Sequence, residues 1–141
     1  MLQQDYKPVL LVEDDTVDAM AVEKAFRHLN IKNKLAHATN GEEAIEYLKN
    51  AGNPKPGIIF LDLNMPKMGG IEFMKVIKAD DSLKKIPIVI LTTSKTEQDR
   101  VKTFDLGIAG YIMKPMHHKS LIEMIDKIYK YWEMTIFPDD Y

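Results

Sequence analysis

The chain reads as an α/β protein, a doubly wound five-stranded parallel sheet with five helices. Three observations predict this. Strand-like and helix-like patterns alternate along all 141 residues. The runs Val9-Leu10-Leu11-Val12 and Ile58-Ile59-Phe60-Leu61 are solidly apolar, as strands covered on both faces must be. Three strand-like runs end in charge or acid, at Glu13-Asp14-Asp15, Asp62 and Lys114. The carboxyl ends of parallel strands are where open α/β sheets bind ligands.

Val9–Val12 is the first strand. Asp18 to Leu29 has helical spacing, with Ala21, Ala25 and Leu29 on one stripe and Val22 and Phe26 beside it. Lys34–Ala38 is a weak second strand. Asn40-Gly41-Glu42-Glu43 opens a second helix through Leu48, and Asn50 to Gly57, with two prolines and two glycines, is a loop. Ile58–Leu61 is the third strand. Gly69-Gly70 leads into a helix over Ile71–Ala79, stopped before Pro87. Ile88–Leu91 is the fourth strand, and Thr96 to Leu106 a helix closed by Gly107. Tyr111–Met113 is the fifth strand, and Ser120 to Glu133 the last helix. There is no internal repeat, low-complexity tract or linker to a second domain.

Composition narrows the function. The length fits one domain with a proper core. A net charge of −2 gives no electrostatic case for nucleic-acid binding. With no cysteine, disulfides, thiolate catalysis and zinc–thiolate sites are excluded. The apolar run before the first acids is far too short for a signal-peptide core or a membrane span, so a cytoplasmic location is expected.

If the strands are parallel neighbours, several carboxylates and one lysine converge on one patch. Such a patch suits a magnesium ion, a nucleophile and a charge clamp, and therefore phosphoryl transfer. Magnesium takes oxygen ligands from one or two carboxylates plus waters and phosphate oxygens. Adjacent side chains diverge, so Asp14 is expected as a direct ligand and Glu13 as a ligand through water. Asp15 starts the first helix, where a carboxylate satisfies free amides. The plainer reading of all three acids is helix capping.

Asp62 is the expected nucleophile, since a carboxylate can carry a phosphoryl group as an acyl phosphate. Asn64 offers a backbone carbonyl to the metal, or is simply a turn residue before Pro66. Lys114 is held extended by Pro115, and a cis bond there would aim its amine back over the sheet. Its ammonium acts as a point charge on phosphate. In Thr92-Thr93-Ser94 a hydroxyl can reach a phosphoryl oxygen or cap the helix that begins near Thr96; Thr92, nearest the strand, is expected to make the phosphate contact. Tyr111 is either packing or a ring that rotates inward when Thr92 moves. Asp18 falls within the apolar arc of its helix. It is either a first-turn acid favoured by the helix dipole, or it borders the acid pocket and supports the loop after the fourth strand. His117-His118 cannot share a helical face and reads as solvated or capping, while His28 and His37 have no ligand-spaced partner.

These residues, taken in order, resemble the response-regulator receiver domain over nearly the whole chain. The pieces are Leu10-Leu11-Val12-Glu13-Asp14-Asp15, Leu61-Asp62-Leu63-Asn64-Met65-Pro66 with Gly70, Pro87-Ile88-Val89-Ile90-Leu91-Thr92, and Tyr111-Ile112-Met113-Lys114-Pro115. The resemblance implies a receiver domain over residues 1–133, a short tail over 134–141, and the flavodoxin-like strand order 2-1-3-4-5. It implies phosphoryl transfer from a histidine kinase to Asp62, dependent on magnesium or, as a substitute, manganese. Glu13, Asp14, Thr92 and Lys114 then take the roles argued above, and the small Thr93 keeps the phosphoryl group accessible. Such a domain is a signalling phosphoacceptor that assists its own phosphorylation and dephosphorylation, with no external metabolic substrate.

A narrower likeness rests on Asp18, on Leu91-Thr92-Thr93-Ser94, and on Tyr131-Trp132-Glu133-Met134-Thr135 followed by an apolar pair and Pro138. These look like the stand-alone regulators, without an output domain, that pair with bacterial phytochrome-type histidine kinases; several form dimers. Independently, Leu121, Ile122, Met124, Ile125, Ile128, Tyr129, Tyr131 and Trp132 spread over roughly half the last helix, where a one-sided core contact needs an arc of only ~100°. Tail packing or a second subunit would cover the excess. A homodimer through the fourth helix, fifth strand and fifth helix is expected, with the tail contributing. A phosphatase of the haloacid dehalogenase type also uses a strand-end aspartate with magnesium, but it wants a second acid two residues on, where this chain has Asn64. A scaffold with a decayed site is disfavoured by the intact acids, Thr92 and Lys114.

Overall fold

A computed structural model describes residues 7–138. Its five strands are β1 (Val9–Val12), β2 (Leu35–Ala38), β3 (Ile58–Leu61), β4 (Ile88–Thr92) and β5 (Gly110–Met113). The helices are α1 (Thr16–His28), α2 (Gly41–Lys49), α3 (Gly70–Lys78), α4 (Glu97–Asp105) and α5 (His118–Glu133). All strand pairs are parallel, in the order β2-β1-β3-β4-β5, as the sequence predicts.

Alternation along each strand sorts side chains onto two cores. Leu10, Val12, Ile59, Leu61, Ile88 and Ile90 face α2 and α3, where Ala44, Phe73, Met74 and Ile77 close the layer. Val9, Leu11, Ile58, Phe60, Val89 and Leu91 face α1 and α5, against Val22, Ala25, Phe26, Leu121, Ile125 and Trp132. The sheet is therefore buried on both faces, which is why its central strands carry uninterrupted apolar residues.

Helix starts follow their caps. Asp15 Oδ1 accepts from the amides of Val17 and Asp18, Asn40 Oδ1 from Glu43, and Thr96 Oγ1 from Asp99. Each satisfies an amide that a helix end would otherwise leave free. Because Asp15 caps, α1 begins at Thr16, two residues before the apolar stripe becomes visible in sequence. Strand β4 runs one residue further than its apolar run and takes in Thr92. Gly107 closes α4 with φ +86°, a conformation that side-chain-bearing residues avoid. Among the described residues no peptide bond is cis, so Lys114 reaches its partners through a trans bond to Pro115, and the reorientation by a cis bond does not occur.

The chain beyond α5 returns to the core: Phe137 is buried in the α1–α5 layer, and the Lys7 ammonium lies 5.9 Å from its ring centroid. The acidic end of the tail, 139–141, lies outside the described residues.

Candidate functional site

Register brings the reactive groups together. Val12 pairs with Leu61, so the next residues, Glu13 and Asp62, leave adjacent strands side by side. The Asp62 amide donates to the Val12 carbonyl at 3.0 Å and the Glu13 amide to Ala38 at 3.0 Å, so both backbones are held one step past the sheet. Thr92 pairs with Met113, and the Lys114 amide donates to the Thr92 carbonyl at 2.9 Å.

Carboxylate oxygens of Glu13, Asp14 and Asp62 all lie within 4.8 Å of one another. Glu13 and Asp62 are buried, while Asp14 is exposed. Three converging carboxylates, two of them buried, repel one another, and a divalent cation with a preference for oxygen relieves that repulsion. The donor set therefore fits magnesium or manganese.

The Lys114 ammonium sits 2.8 Å from Glu13 Oε1, 2.7 Å from Asp18 Oδ2 and 3.5 Å from Asp62 Oδ2. Burial works against its charge, but the hydrogen bonds to Asp18 and Glu13 and the nearby acids outweigh that and push its pKa up. Burial drives the Glu13 carboxyl the other way from a free acid, up to about 7, with the Asp62 charge adding and Lys114 only partly offsetting. Asp18 thus borders the acid pocket, but its side chain supports Lys114 at the end of β5 and not the loop after β4.

Thr92 is fully buried and its Oγ1 accepts from the Ser94 amide at 3.2 Å. Thr96, not Thr92, caps α4. Thr93 is exposed. The Ser94 hydroxyl donates to the Asp99 carboxylate. Tyr111 is half-buried, and its hydroxyl donates to the Ser94 carbonyl at 3.0 Å, tying β5 to the β4–α4 loop. Asn64 is exposed; its amide lies 3.5 Å from Asp62 Oδ1. His117 stands at the α5 N-cap without a side-chain capping bond, and both it and His118 are solvated.

Two neighbours have a role at the site that only the fold reveals. His37 Nε2 donates to the Glu13 carbonyl at 2.6 Å, steadying the turn that carries the acids. No ligand-type spacing marks it; only the pairing of β2 with β1 puts it there. Gly70 is the second. A Cβ there would stand 2.6 Å from the Asp62 carbonyl oxygen and 2.8 Å from Leu63 Cα, so α3 can start this close to Asp62 only on a glycine.

A fold and a site of this kind define a phosphate-handling receiver, and comparison with known proteins agrees. Residues 9–126 match the response regulator receiver domain. The chain is 35% identical over 134 residues to response regulator Rcp1 of Synechocystis sp., covering 92% of this chain and 91% of that protein. It is 31% identical over 122 residues to chemotaxis protein CheY-3 of Vibrio cholerae, covering 86% and 91%. Among solved structures, the phosphorylated cyanobacterial phytochrome response regulator RcpA superposes with a TM-score of 0.86 at 33% identity, covering 94% of this chain and 97% of that one. The Mn(2+)-bound form of Rcp1 gives 0.85 at 34% identity, covering 94% and 99%. The chain belongs to the response regulator receiver domain family. Its function is that of a two-component response regulator, in a family where magnesium-dependent phosphorylation on aspartate is general. No helix among the described residues is long and apolar enough to cross a membrane.

Proposed function

We propose that Asp62 is the phosphoacceptor, taking its phosphoryl group from a histidine kinase. The observation that carries this reading is one buried carboxylate at the tip of the central strand, within 4.8 Å of two further acids and 3.5 Å from an ammonium. An Asp62 oxygen attacks phosphorus. The phosphorus–nitrogen bond of the donor phosphohistidine breaks, and the imidazole leaves with the electron pair and takes up a proton. Asp14 would hold a divalent cation directly and Glu13 through water, with Asp62 and the Asn64 backbone carbonyl completing the protein's share. A divalent cation held there would supply positive charge against the phosphoryl oxygens. The Thr92 hydroxyl, released from the Ser94 amide, donates to one phosphoryl oxygen, and the Lys114 ammonium to another. Pro115 keeps the Lys114 backbone extended. The exposed Thr93 leaves room for attacking water, so the acyl phosphate is lost by self-catalysed hydrolysis. Tyr111 turns inward as Thr92 moves, which breaks its bond to the Ser94 carbonyl and changes the outer face of β4 and β5.

The donor is a phytochrome-type histidine kinase in the cytoplasm. The names of the similar proteins RcpA and Rcp1 support that choice. The regulator acts as a homodimer through α4, β5 and α5, with the tail contributing. Phe104, Met113, Tyr131 and Ile136 stand exposed along those elements, more apolar surface than a solitary domain has reason to keep there. Sedimentation that gives only monomer at micromolar concentration, with and without a phosphoryl mimic, overturns the dimer.

Labelling tests the central claim. With magnesium and radiolabelled acetyl phosphate or phosphorylated kinase, the protein is expected to take acid-resistant, base-labile label, and Asp62→Asn to take none. Rapid turnover of phosphomonoesters would point instead to a phosphatase, and absence of label to a scaffold.

A further inference from the structure

We propose that Asp18 is a positioning residue that holds the Lys114 ammonium away from the phosphoacceptor in the resting state, and so competes with the phosphoryl group for it. The inference rests on the reading of Asp62 as acceptor.

The geometry is unequal. The lysine makes its shortest contact, 2.7 Å, to Asp18, and its longest, 3.5 Å, to Asp62. An ammonium has three donors. Here one is spent on Asp18 and one on Glu13 at 2.8 Å, which leaves Asp62 at the edge of hydrogen-bond range. The remaining donor faces Asp62 from 3.5 Å, and a shift of the ammonium that closes it on a phosphoryl oxygen there lengthens one of the two short contacts.

Asp18 is the contact that yields. Glu13 is buried and cannot be left uncompensated without a large desolvation cost. The Asp18 side chain is 43% exposed and can be rehydrated at once when the lysine leaves. It borders a cavity of about 260 Å³, lined also by Val17, Lys114, Met116 and His117, which gives room for the movement. Its backbone, however, is fixed: the Asp15 cap binds its amide at 3.1 Å, so the carboxylate is presented from a rigid first turn. Asp18 is therefore a well-placed but weak holder. It also withdraws positive charge from the three acids that hold the cation.

Two opposite effects follow on neutralising it. With Asp18→Asn the lysine settles nearer Asp62 and Glu13, so divalent cation binding weakens. At saturating magnesium the same lysine is free for the phosphoryl group, so a phosphoryl mimic binds more tightly. For a partly exposed ion pair the expected change in each affinity is about two- to fivefold.

The test titrates magnesium alone, then beryllofluoride at saturating magnesium, into the full chain and its Asp18→Asn, Asp18→Glu and Asp62→Asn variants by calorimetry. Expected are weaker magnesium and tighter beryllofluoride binding in Asp18→Asn, with both restored toward the parent by Asp18→Glu. A residue that merely supports the fold would lower both affinities together, so equal or weaker beryllofluoride binding in Asp18→Asn overturns the proposal. If the parent protein itself binds beryllofluoride no better than Asp62→Asn, the reading of Asp62 fails, and this proposal with it.

Discussion

At a pH well above the Glu13 pKa of about 7, where that carboxyl is ionised, Asp62→Asn should stabilise the metal-free protein. The Asp62 carboxylate has two like charges within 4.8 Å and one ammonium at 3.5 Å. With an effective dielectric constant of ~20, the two repulsions outweigh the attraction by about 2 kcal/mol. The exposure of Asp14 trims that figure, whereas the desolvation cost of a buried carboxylate, which asparagine avoids, adds to it. A gain of about 2 kcal/mol in a domain of this size corresponds to roughly 4–8 °C in Tm. The polar contacts given up are slight: the Asn64 amide and Lys114 both lie at the 3.5 Å limit. Thermal unfolding followed by circular dichroism, in chelator and in saturating magnesium, measures the effect. The parent should gain stability from magnesium by ligand linkage, and the variant should start higher and gain less. A variant less stable than the parent in chelator would show that Asp62 is held by favourable contacts, and the argument from charge crowding would be wrong.

Other outcomes follow from the same geometry. Gly70→Ala places a methyl group 2.6 Å from the Asp62 carbonyl oxygen; the strain should cost about 1–3 kcal/mol in denaturant unfolding and slow phosphoryl uptake. Glu13, with its pKa raised from 4.5 to about 7, keeps a proton in the metal-free fold that the unfolded chain has released. Its contribution to stability is therefore present below pH 4.5 and lost as pH rises through about 7. Cation binding needs the carboxylate, so magnesium affinity should fall by up to about tenfold per pH unit on acidification below that value, as titrations across the neutral range will show. Phe73→Ala removes a fully buried ring between α3 and the sheet and should cost about 3–5 kcal/mol by urea unfolding, while leaving label on Asp62 in the fraction still folded.

The legible parts of this molecule were those that local chemistry dictates. Continuous apolar runs betray strands covered on both faces, and β1 and β3 fell where those runs lie. Charges at the ends of such runs pointed to one rim of the sheet, and the distances among Glu13, Asp62 and Lys114 place them on that rim together. What could not be read depends on which strands are neighbours. His37 meets the Glu13 carbonyl only because β2 pairs with β1, and a histidine on a weak strand announces nothing by itself. Asp18 was visible as an acid on an apolar stripe, but its partner is 96 residues away in sequence, and the fold alone selects that partner over the loop after β4. The trans bond before Pro115 belongs to the same class: proline permits either isomer, and the surroundings choose.

Trp132 and Phe137 lie at and beyond the end of α5, outside residues 9–126 that match the receiver domain, yet both are packed beneath β1 and β3 in the α1–α5 layer. Cutting the polypeptide after residue 126 would therefore spare every acid, hydroxyl and amine on the reactive rim while stripping two aromatic supports from beneath it. Such a truncated protein would keep the chemistry on paper and lose it on warming, because the parts that react and the parts that bear the weight are carried by different stretches of chain.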